Sequence, residues 1–356
     1  VLVPQLRLSA GARLESTYMR VDPRSDIEDQ QPDKAFLVVR ELTNTSGSVT
    51  RYLTGVSREE AAAEIDEAEW LRSLGFVYSL RDNMNVRFHW AQTIARPTFL
   101  ELAPVITYDY IERETTVGNT DLQISHLDNY DIRWEWFPKP GEVFAVSYFY
   151  KDIEDPIEKE SFGYLSESYL LTVNYPEGRV QGVEFEARKD LDFLPEPFKY
   201  ISLGGNYSLI KAQVRIPDAQ LETLQTYELS RGWRDMEGQP DYLVNFNVVF
   251  DHPRWGTTAG LFINQRGDML KSGAAVGSNS DGEPLATPDI YERGMTTMNF
   301  SLSQKIFDIF KVTVRIKNIT EEDIVETYRI PGAEEDIQRS KYETEKKYSF
   351  GVGCNF

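Results

Sequence analysis

Three acidic groups carry the densest chemistry on this chain: Asp152, Glu154, Asp155 and Glu158; Glu321, Glu322 and Asp323; and Glu334, Glu335 and Asp336. Carboxylate oxygens are the ligands calcium takes, and they attract metal chelates. The Asp-x-Asp-x-Asp-Gly spacing of a calcium loop is absent, so these groups read as solvated loop charge. His89, His126 and His252 are scattered and lack cysteine or carboxylate spacing suited to zinc; neither a metal site nor a cofactor is expected. Glu184 and Glu186, two apart on one face of an extended segment, have the placement of an acid and base pair in a cleft, but on a wall facing water they are expected to pair with arginines. The chain has no Gly-x-Ser-x-Gly elbow, phosphate loop or His-Glu-x-x-His, so it does not read as an enzyme. Arg96 precedes Pro97, and because proline restricts the residue before it, Arg96 is expected to fix the entry of a loop rather than grip an anion.

The 356 residues carry a formal charge of -19, which argues against nucleic acid as a partner and leaves cations and neutral solutes open. No apolar run reaches the roughly 18 residues of a transmembrane helix, and a negative mean hydropathy is compatible with a barrel whose inner half is polar. Cys354 is the single cysteine, so an intrachain disulfide framework is excluded. Neither a signal peptide nor an initiator methionine is seen, and Val1 to Leu8 already reads as the approach to a strand, so the chain reads as processed or cut.

These residues must be positioned by strands, because twelve segments alternate with a period of two. One face holds, for example, Leu74, Phe76, Tyr78 and Leu80; Tyr130, Ile132, Trp134 and Trp136; Tyr242, Val244, Phe246, Val248 and Phe250; and, at the end, Tyr348, Phe350, Val352, Cys354 and Phe356. The other face holds Asn129, Asp131, Arg133 and Glu135; Glu184, Glu186 and Arg188; and Lys311, Thr313, Arg315 and Lys317. Inward charge of both signs is cheap only where water or protein fills the interior. Trp70, Trp90, Trp134, Trp136, Tyr148 and Tyr150 suit the headgroup layer of a membrane.

Connections alternate in length. Short links at 81–83, 138–142, 189–198, 251–255 and 307–310 are rich in Asp, Asn, Pro and Gly; long ones fall at 20–69, 96–125, 153–177, 210–238, 266–295 and 319–341. This predicts an all-β, antiparallel transmembrane β-barrel region of about 12 strands with short periplasmic turns and long extracellular loops. A capping box at Ser57 and Glu60 predicts one helix, running on through the Ala- and Glu-rich stretch to Leu71.

Thr93-Ile-Ala-Arg96-Pro97-Thr98-Phe99, Val117-Gly118-Asn119-Thr120-Asp121-Leu122, and Leu127-Asp128-Asn129-Tyr130-Asp131, followed by Phe149 to Ile157, Val180 to Glu184 and the closing aromatic strand, resemble in order the carboxy-terminal barrel half of TonB-dependent outer-membrane receptors. Thr120, where the family usually has proline, and Gln123 to Ser125, where Lys-Pro-Glu is common, depart from the pattern within one loop. The resemblance implies a barrel of about 22 strands in the whole protein, an amino-terminal plug and a TonB-contacting box that are not seen in this chain, and hence one region, 1–356, from the later part of the wall. It further implies uptake of a scarce solute, an iron-siderophore, cobalamin or a glycan, across the outer membrane of a Gram-negative bacterium with energy delivered through TonB. Tyr348, Phe350, Val352 and Phe356 look like the signal read by the barrel-assembly machinery, with lipid as the surrounding partner. Loops around Tyr108, Tyr110, Trp233, Arg234 and Tyr328 offer aromatic rings for stacking on a sugar or siderophore. Two other readings remain open: an outer-membrane barrel enzyme of lipase or protease type, and a soluble carbohydrate-binding β-sandwich with the apolar rows buried between two sheets.

Overall fold

A computed structural model describes residues 5–25, 30–43, 49–110, 114–164, 167–230, 232–274, 276–278, 284–307 and 309–354. Phe356 lies outside them. Twelve strands follow one another as an antiparallel meander: β1 (Leu6–Val21), β2 (Ala63–Arg81), β3 (Met84–Ala95), β4 (Ser125–Trp136), β5 (Val143–Glu154), β6 (Glu177–Asp190), β7 (Ile201–Arg215), β8 (Tyr242–His252), β9 (Thr257–Arg266), β10 (Met295–Ile306), β11 (Phe310–Lys317) and β12 (Lys347–Cys354). Among the described residues β1 and β12 each pair on one side only, so the wall is an open sheet and no seam joins its first strand to its last.

The ladders keep like faces together. Leu8 is opposite Phe76, Phe76 opposite Phe88, Phe88 opposite Ile132, Ile132 opposite Tyr148, Tyr148 opposite Val183, and Val183 opposite Leu209. The series continues from Leu261 through Phe300 and Ile316 to Tyr348. A slip of one residue in any ladder would turn an entire apolar row inward, which is why the alternation specifies the register. The rows are not buried: Tyr148 is 43%, Phe246 41% and Phe350 72% exposed, and Trp134, between Val86 and Val146 in the ladders, is half-buried. A continuous apolar band of this extent is the lipid-facing surface of a transmembrane barrel wall. Among the described residues these rows stay exposed rather than buried between two sheets, unlike the rows of a soluble sandwich.

Short turns lie at one rim and long connections at the other. At the turn rim His252 is buried between the rings of Tyr200 and Trp255, with centroids 4.2 and 4.1 Å away, and its Nδ1 accepts the Trp255 N–H at 3.1 Å. On the inner face above this rim, Arg133 pairs with Glu186 at 2.7 Å and with Glu135 at 3.2 Å, and Arg87 donates to Glu135 at 2.6 Å. The arginine partner expected for Glu186 is therefore Arg133.

The long connections hold structure that the sequence pattern does not announce. A hairpin, Phe36–Thr43 with Val49–Val56, lies in the first; two four-stranded sheets are built from Ile106–Asp109, Glu114–Val117, Ile157–Tyr164 and Glu167–Asn174, and from Met269–Ser272, Asp289–Glu292, Ile324–Arg329 and Ile337–Tyr342. One correction concerns the helix. The Ser57 and Glu60 capping box forms, but the helix ends at Ala61, and Ala63 to Leu71 belongs to β2. Pairing of Ile65 with Met19 and of Ala63 with Val21 buries both residues with Leu102, Leu122 and Ile124, and this outweighs the helix propensity of an Ala- and Glu-rich run.

The inner face thus has two tiers. Near the turns it is charged and laced with ion pairs; near the loops Thr17, Ile65, Ser125, Ile153 and Val214 are buried by the connections folded onto them.

Candidate functional site

The motif residues form the hinge of a loop cleft. Arg96 reaches back to β1, donating Nε to Thr17 Oγ1 at 2.7 Å and pairing with Glu15, while Thr98 and Glu101 close a capping box over the turn Phe99–Leu102. Arg96 thereby ties the loop's entry to the wall, and Pro97 beside it is buried. Gly118 lies against the carbonyl of Ala103, where no side chain fits. Asn119 accepts the Asp121 N–H at 3.0 Å through its side chain and donates to the Thr172 carbonyl at 2.9 Å, so one residue both turns the loop and pins it to the neighbouring hairpin. Leu122 is buried in the cluster with Ile65. Asn129 donates to the Ala91 carbonyl at 3.0 Å and accepts from Lys151 at 2.8 Å, whereas Tyr130 stands on the outer face beside Tyr150.

These contacts frame a cavity of about 510 Å³ lined by Arg40, Arg51, Asn119, Asp121, Asn174 and Gln220 among others. Arg40 faces Asp121 at 3.6 Å; Arg51 donates to Glu41 at 2.8 Å and pairs with the buried Glu160, which also accepts from Tyr175 at 3.0 Å and Gln220 at 2.7 Å. Both charge signs and several amides converge here, suited to a solute rich in hydroxyl or carboxylate oxygens.

The sequence pattern of the family described as TonB dependent receptor-like β-barrel matches residues 2–319. The chain belongs to the TonB-dependent receptor family. No curated protein matches it in sequence. Among solved structures it is similar to the copper transporter OprC (10% identity, TM-score 0.59, all of this chain and 46% of that one). It is also similar to the ferric yersiniabactin uptake receptor of Yersinia pestis (14%, 0.56, 99% and 43%). A third is a variant of the ferric enterobactin receptor of Pseudomonas aeruginosa in complex with enterobactin (13%, 0.54, 99% and 52%). At such identities the likeness is one of fold, and the chain spans about half the length of these structures or less.

Within this receptor chain the five loop residues singled out for stacking do not come together. Tyr108 and Tyr110 meet edge to face at 4.9 Å, with Tyr110 85% exposed. Trp233 carries the Arg179 guanidinium 4.9 Å above its ring, and Tyr328 sits in the sheet opposite Ile290. Arg234 is 4% exposed, its guanidinium against Tyr175 and 4.0 Å from Asp289. It braces the loops and offers no open face to a solute. Sequence inspection missed Arg40, Arg51 and Gln220, which carry no local pattern.

Nor is all of the acidic charge solvated. Glu321 and Asp323 are paired with Lys346 and Lys341 at 2.8 and 2.7 Å, as loop charge is, but Glu158 is buried and accepts the Glu237 N–H at 2.9 Å. Burial pushes its carboxyl from 4.5 to about 7. A folded pKa above the unfolded one means that this stabilisation is complete below pH 4.5 and is lost as the pH rises through about 7. The loop tier is therefore expected to lose about 2 to 3 kcal/mol of local stability between pH 5 and 8. Hydrogen exchange over 157–174 is expected to quicken in that window, and Glu158→Gln is expected to remove the dependence; exchange insensitive to pH, after correction for intrinsic rates, would refute the assignment.

Proposed function

We propose that this chain is the wall and loop tier of an outer-membrane receptor of a Gram-negative bacterium, taking up a scarce solute of the iron-siderophore, cobalamin or glycan class with energy supplied through TonB. The observation that carries the reading is the vertical order of surfaces: a polar cleft among the loops, a hydrated charged lumen below it, and an apolar band around the outside. A solute held by the cleft amides and the Arg40 and Arg51 guanidinia would lie above the lumen through which it must pass. Tyr110, the most exposed ring near the loop tips, would make first contact by stacking.

Residues 1–356 act in this reading as one region of a larger barrel, and coupling to TonB runs through a part that this chain does not contain. The twelve-strand sheet, whose first and last strands each have one partner among the described residues, and its span of about half of similar receptors, support this. The outward Tyr348, Phe350 and Val352 on β12 supply the surface for the barrel-assembly machinery, and lipid is the partner of the remaining rows.

The test is uptake of ferric siderophores, cobalamin and oligosaccharides by cells bearing the intact gene, a deletion, or cleft variants. Arg40→Ala and Gln220→Ala are expected to raise the half-saturating concentration of the transported solute by about tenfold or more, since each removes a polar or charged contact, with the receptor still present in the outer membrane. Uptake of every class unchanged by deletion would contradict the transport role; uptake lost on deletion but indifferent to both variants would contradict the cleft.

A further inference from the structure

β2 and β3 stop pairing at Ser73 and Ala91, although β2 reaches back to Ala63 and β3 forward to Ala95. Beyond that point β2 pairs with β1 and β3 with β4, leaving an open seam. By alternation Glu67 and Glu69 belong to the inner row of Ser73 and Gly75, whereas His126 belongs to the outer row of Tyr130 and Ile132. The three nevertheless meet. His126 Nε2 is 3.1 Å from Glu69 Oε1, and one donor atom from each of Glu67, Glu69 and His126 lies within 4.8 Å of the others. Residues from opposite faces touch only if the end of the β3–β4 pair has passed inside β2, and the packing of Ile94, also an outer-row residue, against the cluster of Ala63 and Ile65 shows the same overlap.

We propose that Glu67, Glu69 and His126 bind a divalent transition-metal ion of the zinc class, which staples β2, where it has parted from β3, to β4 across this seam. One imidazole nitrogen and two carboxylate oxygens are a donor set that zinc accepts, at bond lengths of about 2.0 to 2.2 Å. Ligand atoms on a sphere of that radius stand roughly 3 to 3.5 Å apart, so the His126 to Glu69 separation is already that of neighbouring ligands. Calcium is the poorer fit, since it takes six to eight oxygens and no imidazole. All three side chains are half-buried. An adjoining cavity of about 230 Å³ is lined by Asp128, Asp152 and Glu154, whose carboxylates would draw a cation towards the seam and leave room for a water in the fourth position. The site escaped sequence inspection because its carboxylates lie on a different strand from His126.

The experiment uses the full-length receptor purified in detergent, stripped with chelator, with the exposed Cys354 replaced by serine so that a thiol does not compete. Titration with Zn²⁺ is expected to show one ion per chain at micromolar affinity, and Co²⁺ to give the visible absorption of a four-coordinate site. His126→Gln, which keeps the size of the side chain and a hydrogen bond to Glu69, and Glu67→Gln are each expected to weaken binding at least about tenfold, while His89→Ala leaves it unchanged. Hydrogen exchange over 63–72 is expected to slow on adding Zn²⁺ in the parent and not in His126→Gln. Absence of stoichiometric binding, or equal binding by parent and His126→Gln, would overturn the site; binding without protection of 63–72 would overturn the staple.

Discussion

Gly118→Ala is expected to unseat the loop that frames the cleft and to abolish solute binding, while leaving the barrel wall intact. A Cβ at this position would stand 1.7 Å from the Ala103 carbonyl oxygen and 2.8 Å from its carbon, and both belong to backbone that cannot swing aside. The segment would have to retreat, breaking the bonds from Gly118 N to Val105 O at 3.1 Å and from Asn119 N to Glu101 O at 2.6 Å. Val117, fully buried against Phe162 and Leu171, would move with it. Two lost backbone hydrogen bonds and one displaced core valine amount to about 3 to 5 kcal/mol of local stability. Hydrogen exchange over 99–124 and 157–174 measures this directly, with solute affinity as the second readout. Protection and affinity at parental levels would show that the close approach at Ala103 is not needed.

The second large effect distinguishes the two faces of one strand. Phe246, midway along β8, lies between Gly205 and Ile263 on the outer face, and Asn245 lies between Asn206 and Asn264 on the inner one. Phe246→Arg places a charge among hydrocarbon and is expected to cost about 2 to 4 kcal/mol; Asn245→Arg enters a hydrated lumen already lined with arginines and is expected to cost under about 1 kcal/mol. Urea titration of receptor folded into bilayers, with folded fraction read from heat-modifiable gel mobility, gives both values. Equal costs for adjacent residues would be incompatible with a wall that has lipid on one side and water on the other.

The wall was legible in the sequence because its signal is local. Alternation of Leu74, Phe76, Tyr78 and Leu80 needs no knowledge of distant residues, and the alternating connection lengths order the strands as the ladders then pair them. The loop tier was not, because its structure rests on partners remote in sequence. Glu326 is buried by its sheet, yet Lys271, Ser340 and Arg339 hold its carboxyl below the usual range, and no spacing rule connects those residues. Local propensity misled at Ala63 to Leu71, where a helical composition pairs as a strand. The motif around Gly118 was visible, but its reason was not: only the placement of Ala103 shows why that position tolerates no side chain. Arg234 was grouped with the loop residues expected to face a solute, and the fold turns it into the interior against Tyr175.

A nitroxide scan of single cysteines along β8, from Tyr242 to Phe250, in the Cys354→Ser receptor reconstituted into bilayers tests the account most directly. Collision with oxygen is expected to dominate at Tyr242, Val244, Phe246, Val248 and Phe250, and collision with a water-soluble nickel chelate at Leu243, Asn245, Asn247 and Val249, in a strict period of two. Nickel access at both sets alike, or oxygen access without alternation, would contradict a lipid-facing wall and with it the transport reading.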